Sequence, residues 1–141
     1  MFFGEYKYRV DEKGRIPLPP KFRQEFRDGA MLTRGAEKCI VAYPVDEWKR
    51  LADSLSAQAM TRSKLRRLNR VVFGAAFSQT LDGQGRVALP ASLREYAQIS
   101  DTAVVIGANN YIEIWDQELW NSEKASAEEQ AWQIIESLEA K

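Results

Sequence analysis

The chain contains no histidine, a single cysteine and no apolar run long enough to cross a membrane. Each absence removes a class of function. Without histidine there is no Ser–His or Cys–His nucleophile pair, no H-E-x-x-H zinc site and no imidazole general base. With Cys39 alone, neither an internal disulfide nor a C-x-x-C metal or redox motif can form. Cys39 opens the apolar run Cys39-Ile40-Val41-Ala42-Tyr43, which predicts a buried structural thiol in a reducing cytoplasm. A membrane helix needs about 18 successive apolar residues, and none is present. The opening Met1-Phe2-Phe3-Gly4-Glu5 lacks a basic start followed by an apolar core, so no secretory leader is expected. The phosphate-cradling G-x-x-x-x-G-K-[ST] is missing as well. No cofactor, metal or small-molecule substrate is expected. Catalysis would fall to carboxylates or lysine, and no pattern points there.

What is present starts with charge. The 20 basic and 20 acidic side chains cancel over the whole chain, yet residues 1–80 carry +7 and residues 81–141 carry −7. A basic half beside an acidic half points to a polyanion partner, or to subunits whose unlike halves attract.

The organising feature is a repeat. Asp11-Glu12-Lys13-Gly14-Arg15-Ile16-Pro17-Leu18-Pro19 returns 71 positions later as Asp82-Gly83-Gln84-Gly85-Arg86-Val87-Ala88-Leu89-Pro90. Asp at the first position and Gly at the fourth suit a type I turn closed by a left-handed residue, the three-residue hairpin with a G1 bulge. Gly14 and Gly85 take the positive φ without steric cost. Arg15 and Arg86 then open the following strands at the rim of a hairpin tip, each offering a guanidinium outward.

The neighbouring segments repeat too. Tyr6 to Val10 alternates, which predicts a strand with Tyr6, Tyr8 and Val10 inward and Lys7 and Arg9 on the other side. Arg15 to Leu18 is its return strand. Pro20 to Phe26 reads as a short helix burying Phe22 and Phe26, and Met31–Arg34 with Lys38–Tyr43 as a second hairpin bent at Gly35. In the second half the same path runs through Phe77–Leu81, Arg86–Leu89, Pro90–Ala97, Ala103–Ile106 and Tyr111–Trp115, with Leu93-Arg94 matching Phe22-Arg23. Between the halves, Asp46 is expected to cap a helix carrying Trp48, Leu51 and Leu55. After a break near Ser56, Thr61 caps a second with Leu65, Leu68 and Val72. Arg62, Lys64, Arg66, Arg67 and Arg70 make this second helix the most basic stretch, read as a solvated face ahead of a ligand contact. Asp116 caps a run with Leu119 and Trp120. Ser126-Ala127-Glu128-Glu129 resembles a capping box opening a last helix, whose Trp132, Ile135 and Leu138 need a docking surface on the same body or a neighbour. The fold class is therefore mainly β with helices (α+β): a first repeat over 5–51, a helical connector over 52–74, a second repeat over 75–120 and a C-terminal helix over 121–141.

Asp-x-x-Gly-Arg-aliphatic-x-aliphatic-Pro, followed by Phe22-Arg23 or Leu93-Arg94, resembles the AbrB-like swapped-hairpin family. Two such units behind Met1-Phe2-Phe3-Gly4-Glu5-Tyr6 resemble the MraZ family, bacterial regulators of the division and cell-wall gene cluster. The resemblance implies two tandem units forming one pseudo-two-fold β-barrel, assembled into a closed homo-oligomeric ring. It implies repression through short G-rich direct repeats of double-stranded DNA at the cluster's promoter, including the protein's own gene, and a cytoplasmic, nucleoid-associated location. The family's Asp-x-x-x-Arg signature falls on Asp11 with Arg15 and on Asp82 with Arg86. Arg15 and Arg86 are then the base readers, since arginine forks two hydrogen bonds onto guanine O6 and N7 in a major groove that admits a β-ribbon. Lys13, its counterpart Gln84 (a weaker phosphate holder), Lys7, Arg9 and Lys21 supply contacts that position without specifying. Asp11, Gly14, Asp82 and Gly85 build the turns.

Other readings compete. Each arginine could tie down its own turn aspartate, though DNA contact is preferred for both; Arg23 and Arg94 are expected to pair or pack. A carboxylate dyad of Asp11 and Asp82 would make an aspartic-protease-like enzyme, but such sites want a hydroxyl residue and Gly after the Asp. Here Glu12-Lys13 and Gly83-Gln84 follow. A non-enzymatic ring-forming scaffold or antitoxin-like module is the remaining alternative, with two full halves and no disordered tail standing against the antitoxin.

Overall fold

Strand pairing crosses between the repeats. The computed structural model describes residues 1–139. Among them are eight strands, β1 (Glu5–Arg9), β2 (Arg15–Pro17), β3 (Ala30–Arg34), β4 (Ile40–Pro44), β5 (Phe77–Gln79), β6 (Arg86–Ala88), β7 (Thr102–Gly107) and β8 (Ile112–Asp116). A 3-10 helix spans Pro20–Phe26, and four α-helices follow, α1 (Val45–Ser56), α2 (Arg62–Val72), α3 (Ala91–Ala97) and α4 (Gln117–Glu139). β1 pairs antiparallel with β7, from Glu5↔Ile106 to Arg9↔Thr102. The mirror pairing is β5 with β3, where Gln79 faces Ala30. β2 pairs with β6 and β4 with β8, so exchanging the halves maps the pattern onto itself. Within a repeat only the hairpins β3–β4 and β7–β8 are paired ladders among the described residues. The expected hairpin of 6–10 with 15–18 is thus a turn only: Asp11 N–H donates to Arg15 O at 3.0 Å, and the strands then part.

The expected barrel is not closed. Six strands form one open sheet in the order β1-β7-β8-β4-β3-β5, and β2 with β6 makes a separate two-stranded ribbon. Proline explains the separation. Pro19-Pro20 and Pro90 have no amide hydrogen to carry the ribbon onward, so it stays three residues long. The ribbon instead lies over the sheet's inner face. Its Ile16 and Val87, with Leu18 and Leu89 just beyond, join one buried cluster with Leu32, Val105, Ile112 and Ile114 of the sheet. The short helices close that core with Phe22, Phe26 and Leu93. Phe2 locks in edge-on to Phe22 at 4.9 Å and stacked on Phe26 at 5.2 Å.

The helices follow the sequence with two differences. Thr61 Oγ1 accepts the Lys64 N–H at 3.2 Å, and Asp116 accepts those of Glu118 and Leu119 at 3.2 and 3.3 Å, as capping residues do. Asp46, however, is not an N-cap. Strand β4 runs straight into α1 through Pro44, leaving Asp46 in the first turn, where its charge meets the positive end of the helix dipole. Nor does a new helix begin at Ser126. Residues 125–139 hold no glycine or proline and are rich in alanine and glutamate, so α4 runs unbroken from Gln117. Its first turns dock: Trp120 meets Trp115 at 5.5 Å and donates Nε1–H to Glu5 at 2.9 Å, and Lys124 pairs with Glu5 at 3.0 Å. From Glu128 onward every described residue is exposed. Residues 140 and 141 of the expected 121–141 segment lie outside the described residues.

At the opposite edge, Thr33 Oγ1 donates to Val72 O and anchors the end of α2 to β3. Trp48 of α1 packs on Phe73 and Tyr43. Cys39 is buried beside Val41 and Trp115, and that burial pushes its thiol pKa well up. No described helix is long and apolar enough to cross a membrane.

Candidate nucleic-acid interface

The two motif loops match bond for bond. In the first, Asp11 Oδ1 accepts the backbone N–H groups of Lys13 and Arg15, both at 2.9 Å, and Oδ2 accepts Arg15 Nε–H at 2.7 Å. In the second, Asp82 Oδ1 accepts those of Gln84 and Arg86 at 2.9 Å, and Oδ2 accepts Arg86 Nε–H at 2.8 Å. An aspartate that bonds its own backbone two and four residues on is a turn built by side chain. It also fixes the plane of the following guanidinium. Each arginine is therefore less free than a side chain offered outward at a tip. It is half-buried and tied to its own turn aspartate, leaving its Nη groups as the available fork.

The ribbon register brings both pairs together. Arg15 lies opposite Ala88 and Arg86 opposite Pro17, so the two arginines share the ribbon's outer face while Ile16 and Val87 point into the core. Arg86 Nη1 lies 3.9 Å from Asp11 Oδ2, joining both loops in one cluster of two cations and two anions. Lys13 and Gln84 sit exposed at the loop tips. Lys7 and Arg9 line the exposed side of β1, and Lys21 the exposed side of the 3-10 helix. No hydrogen bond or ion pair joins these three to the cluster among the described residues.

Each loop is braced from the other repeat. Arg23 Nε–H donates to Leu18 O and Arg94 Nε–H to Leu89 O, both at 2.9 Å. Leu18 N–H donates to Gly85 O, and Leu89 N–H to Gly14 O, again at 2.9 Å. The Arg23 guanidinium consequently lies under Gly85 and that of Arg94 under Gly14, at φ +73° and +76°. Sequence reading expected Arg23 and Arg94 to pair or pack but missed this exchange. The signal was present, because Gly and Arg recur together at the repeat offset.

The backbone N–H of Arg15, then its side chain and the Lys13 N–H, hold Asp11 below the ordinary aspartate value of 3.8, and Asp82 is lowered by the equivalent groups. The sign follows. A depressed carboxylate contributes its stabilisation above the unfolded pKa and loses it as pH falls through the folded one. Loop order is thus expected to be unchanged between pH 5 and 8 and to fail only below 3.8. Following the Lys13, Arg15, Gln84 and Arg86 amide resonances in an acid titration checks this, and a transition near neutrality would contradict it.

The molecule is a tandem-repeat α+β protein whose halves exchange strands about a pseudo-two-fold axis and set their matching loops side by side. Comparison with known proteins places that class. The MraZ protein family, whose description adds a provisional antitoxin-like affinity, matches residues 1–71 and again 72–137. A protein of Dehalococcoides mccartyi named Transcriptional regulator MraZ is 56% identical over 140 residues, covering 99% of each chain. One of Salinispora tropica with the same name is 43% identical over 138 residues, covering 98% of this chain and 97% of the relative. The chain belongs to the MraZ family.

Proposed function

We propose that this chain is a non-enzymatic transcriptional regulator that binds double-stranded DNA in a sequence-specific manner and represses its promoter. The carrying observation is the pair of loops with matching hydrogen bonds, whose aspartates hold two guanidinium groups on one outer face. A guanidinium fixed through Nε keeps its Nη fork for guanine O6 and N7, and Arg15 and Arg86 are the base readers. Lys13 and, more weakly, Gln84 hold flanking phosphates at the tips, with Lys7, Arg9 and Lys21 further out. Because the four-charge cluster is neutral, long-range attraction to DNA rests on those outer groups.

The targets are G-rich direct repeats in the promoter of the division and cell-wall gene cluster, including the protein's own gene, in the nucleoid-associated cytoplasm. Several copies assemble into a closed homo-oligomeric ring. Its rotational symmetry turns every copy the same way, so successive repeats are direct rather than inverted and lie about one DNA turn, roughly 10–10.5 bp, apart. Residues 5–51 and 75–120 act as readers, 52–74 as connector and 121–141 as an assembly arm. The names carried by the relatives from Dehalococcoides mccartyi and Salinispora tropica support a role in transcription.

Fluorescence anisotropy with a duplex from that promoter and a scrambled duplex, across a salt series, tests the reading. A preference of about a thousandfold or more, with affinity falling steeply as salt rises, is expected. Equal binding to both duplexes would remove the sequence-specific claim, and no binding at low salt would remove the DNA claim.

A further inference from the structure

Among the described residues, the end of α4 packs on nothing in its own chain. Over residues 128–139, about 18 Å of helix at 1.5 Å per residue, it exposes Trp132 (65%), Ile134, Ile135 and Leu138 (64%). At 100° per residue Ile134, Leu138 and Ile135 cover about 100° of arc and Trp132 lies about 60° further round. Glu128 and Glu139 fall between Ile135 and Trp132 at the two ends of the segment, Glu136 and Glu129 just past Trp132, and 125–139 has no basic residue. The far edge of the sheet offers the complement. A shallow groove of about 340 Å³ runs between α2, β5 and α3. Val71 and Phe77 are exposed in it, Arg34 and Arg70 stand at its sides, and none of its lining residues is acidic. Arg66 and Arg67, one turn earlier on α2, extend the basic border.

Within one molecule the two surfaces stand apart, since every described residue of α4 from Glu128 onward is exposed. The start of α4 is pinned to β1 and β8 through Glu5 and Trp115, whereas the groove lies beyond β5. Counted along the sheet, five strand spacings, about 24 Å, lie between its two edge strands. We infer that the exposed end of α4 docks, apolar stripe down, in the α2–β5 groove of a second copy of this chain. Unlike patches on opposite edges make a head-to-tail contact, which closes into a ring when its rotation divides a full turn. The contact rests on the assembly proposed above and names the surfaces that carry it. It also gives the basic stretch of α2 an acidic protein partner rather than DNA.

A mixing experiment on the full chain, read by native mass spectrometry, decides the matter. One variant carries Trp132→Ser and Leu138→Ser, the other Arg70→Glu and Val71→Ser. All four positions are exposed, and thermal melts confirm folding. Wild type is expected above the dimer mass, and each variant alone as a monomer. Their equimolar mixture should give heterodimers and nothing larger, because only one intact helix and one intact groove remain to pair. Wild-type assembly with both variants unaffected would overturn this contact while leaving assembly standing; a mixture that stays monomeric overturns it equally. A groove variant that keeps the wild-type mass but loses promoter binding would assign the α2 face to DNA. Monomeric wild type would overturn the assembly reading itself.

Discussion

Replacing Arg15 by alanine is expected to weaken binding to the promoter duplex by about tenfold to a hundredfold, the value of one bidentate guanine contact. Binding to the scrambled duplex should change far less. Arg86→Ala should behave alike, with a smaller loss because its loop carries Gln84 where the first carries Lys13. The double variant should approach the scrambled level. The two losses need not add, since Arg86 Nη1 lies 3.9 Å from Asp11 and the cluster responds as a unit. Arg15→Lys separates readout from charge. Lysine keeps the cation but not the planar fork, so specificity should fall nearly as far as with alanine while the salt dependence persists. Anisotropy on both duplexes measures all four proteins. If Arg15→Ala retains wild-type affinity and specificity, the guanidinium serves only its own turn.

The second large effect concerns stability. Gly85→Ala is expected to cost about 2–4 kcal/mol, combining the left-handed backbone penalty with overpacking of a filled space. A Cβ there would run into Arg23 Nε and Cζ at φ +73°. Arg23 can retreat only by giving up its bond to Leu18 O. Gly14→Ala should cost somewhat less, since its Cβ would stop 2.8 Å from Arg94 Cζ. Gly83→Ala, two residues from Gly85, has open space around it and no positive φ, so it should stay within about 0.5 kcal/mol. In thermal melts the Gly85 variant should fall by on the order of 10 °C and the Gly83 variant hardly at all. Equal shifts would mean that Arg23 does not brace the loop. Adding Arg23→Ala to Gly85→Ala should recover part of the loss, because the clash disappears with the side chain.

Much of this architecture was legible because it is local. Alternation at Tyr6, Lys7, Tyr8 and Arg9, the Asp and Gly of each turn, and the caps at Thr61 and Asp116 act within a few residues of themselves. What was not legible depended on partners about 45 to 100 residues away. Tyr6 alternates identically whether its strand pairs with β2 or β7, so periodicity could not reveal the exchange of strands, nor that the sheet stays open beside a separate ribbon. The start of α4 was misplaced at Ser126 because a capping box is a local pattern, and a helix already under way overrides it. At the candidate interface the repeat singled out Asp11 with Arg15 and Asp82 with Arg86, the pairs that each loop joins by hydrogen bonds. It could not tell a guanidinium offered freely from one already tied to Asp11 or Asp82, as both need an arginine at the same position.

The pairing of Glu5 with Ile106 also bears on how the protein is made. A ribosome releases the first half long before β7 exists. At roughly 5–20 residues per second the early strands wait on the order of seconds with open edges. Two nascent chains on one message could then trade halves, each closing the other's fold. The covalent connector counters this by holding the second half at high local concentration, so a chain meets its own partner strands before a neighbour's. Shortening the α1–α2 connector should accordingly move the balance from self-closure towards entangled dimers, with every strand pair unchanged.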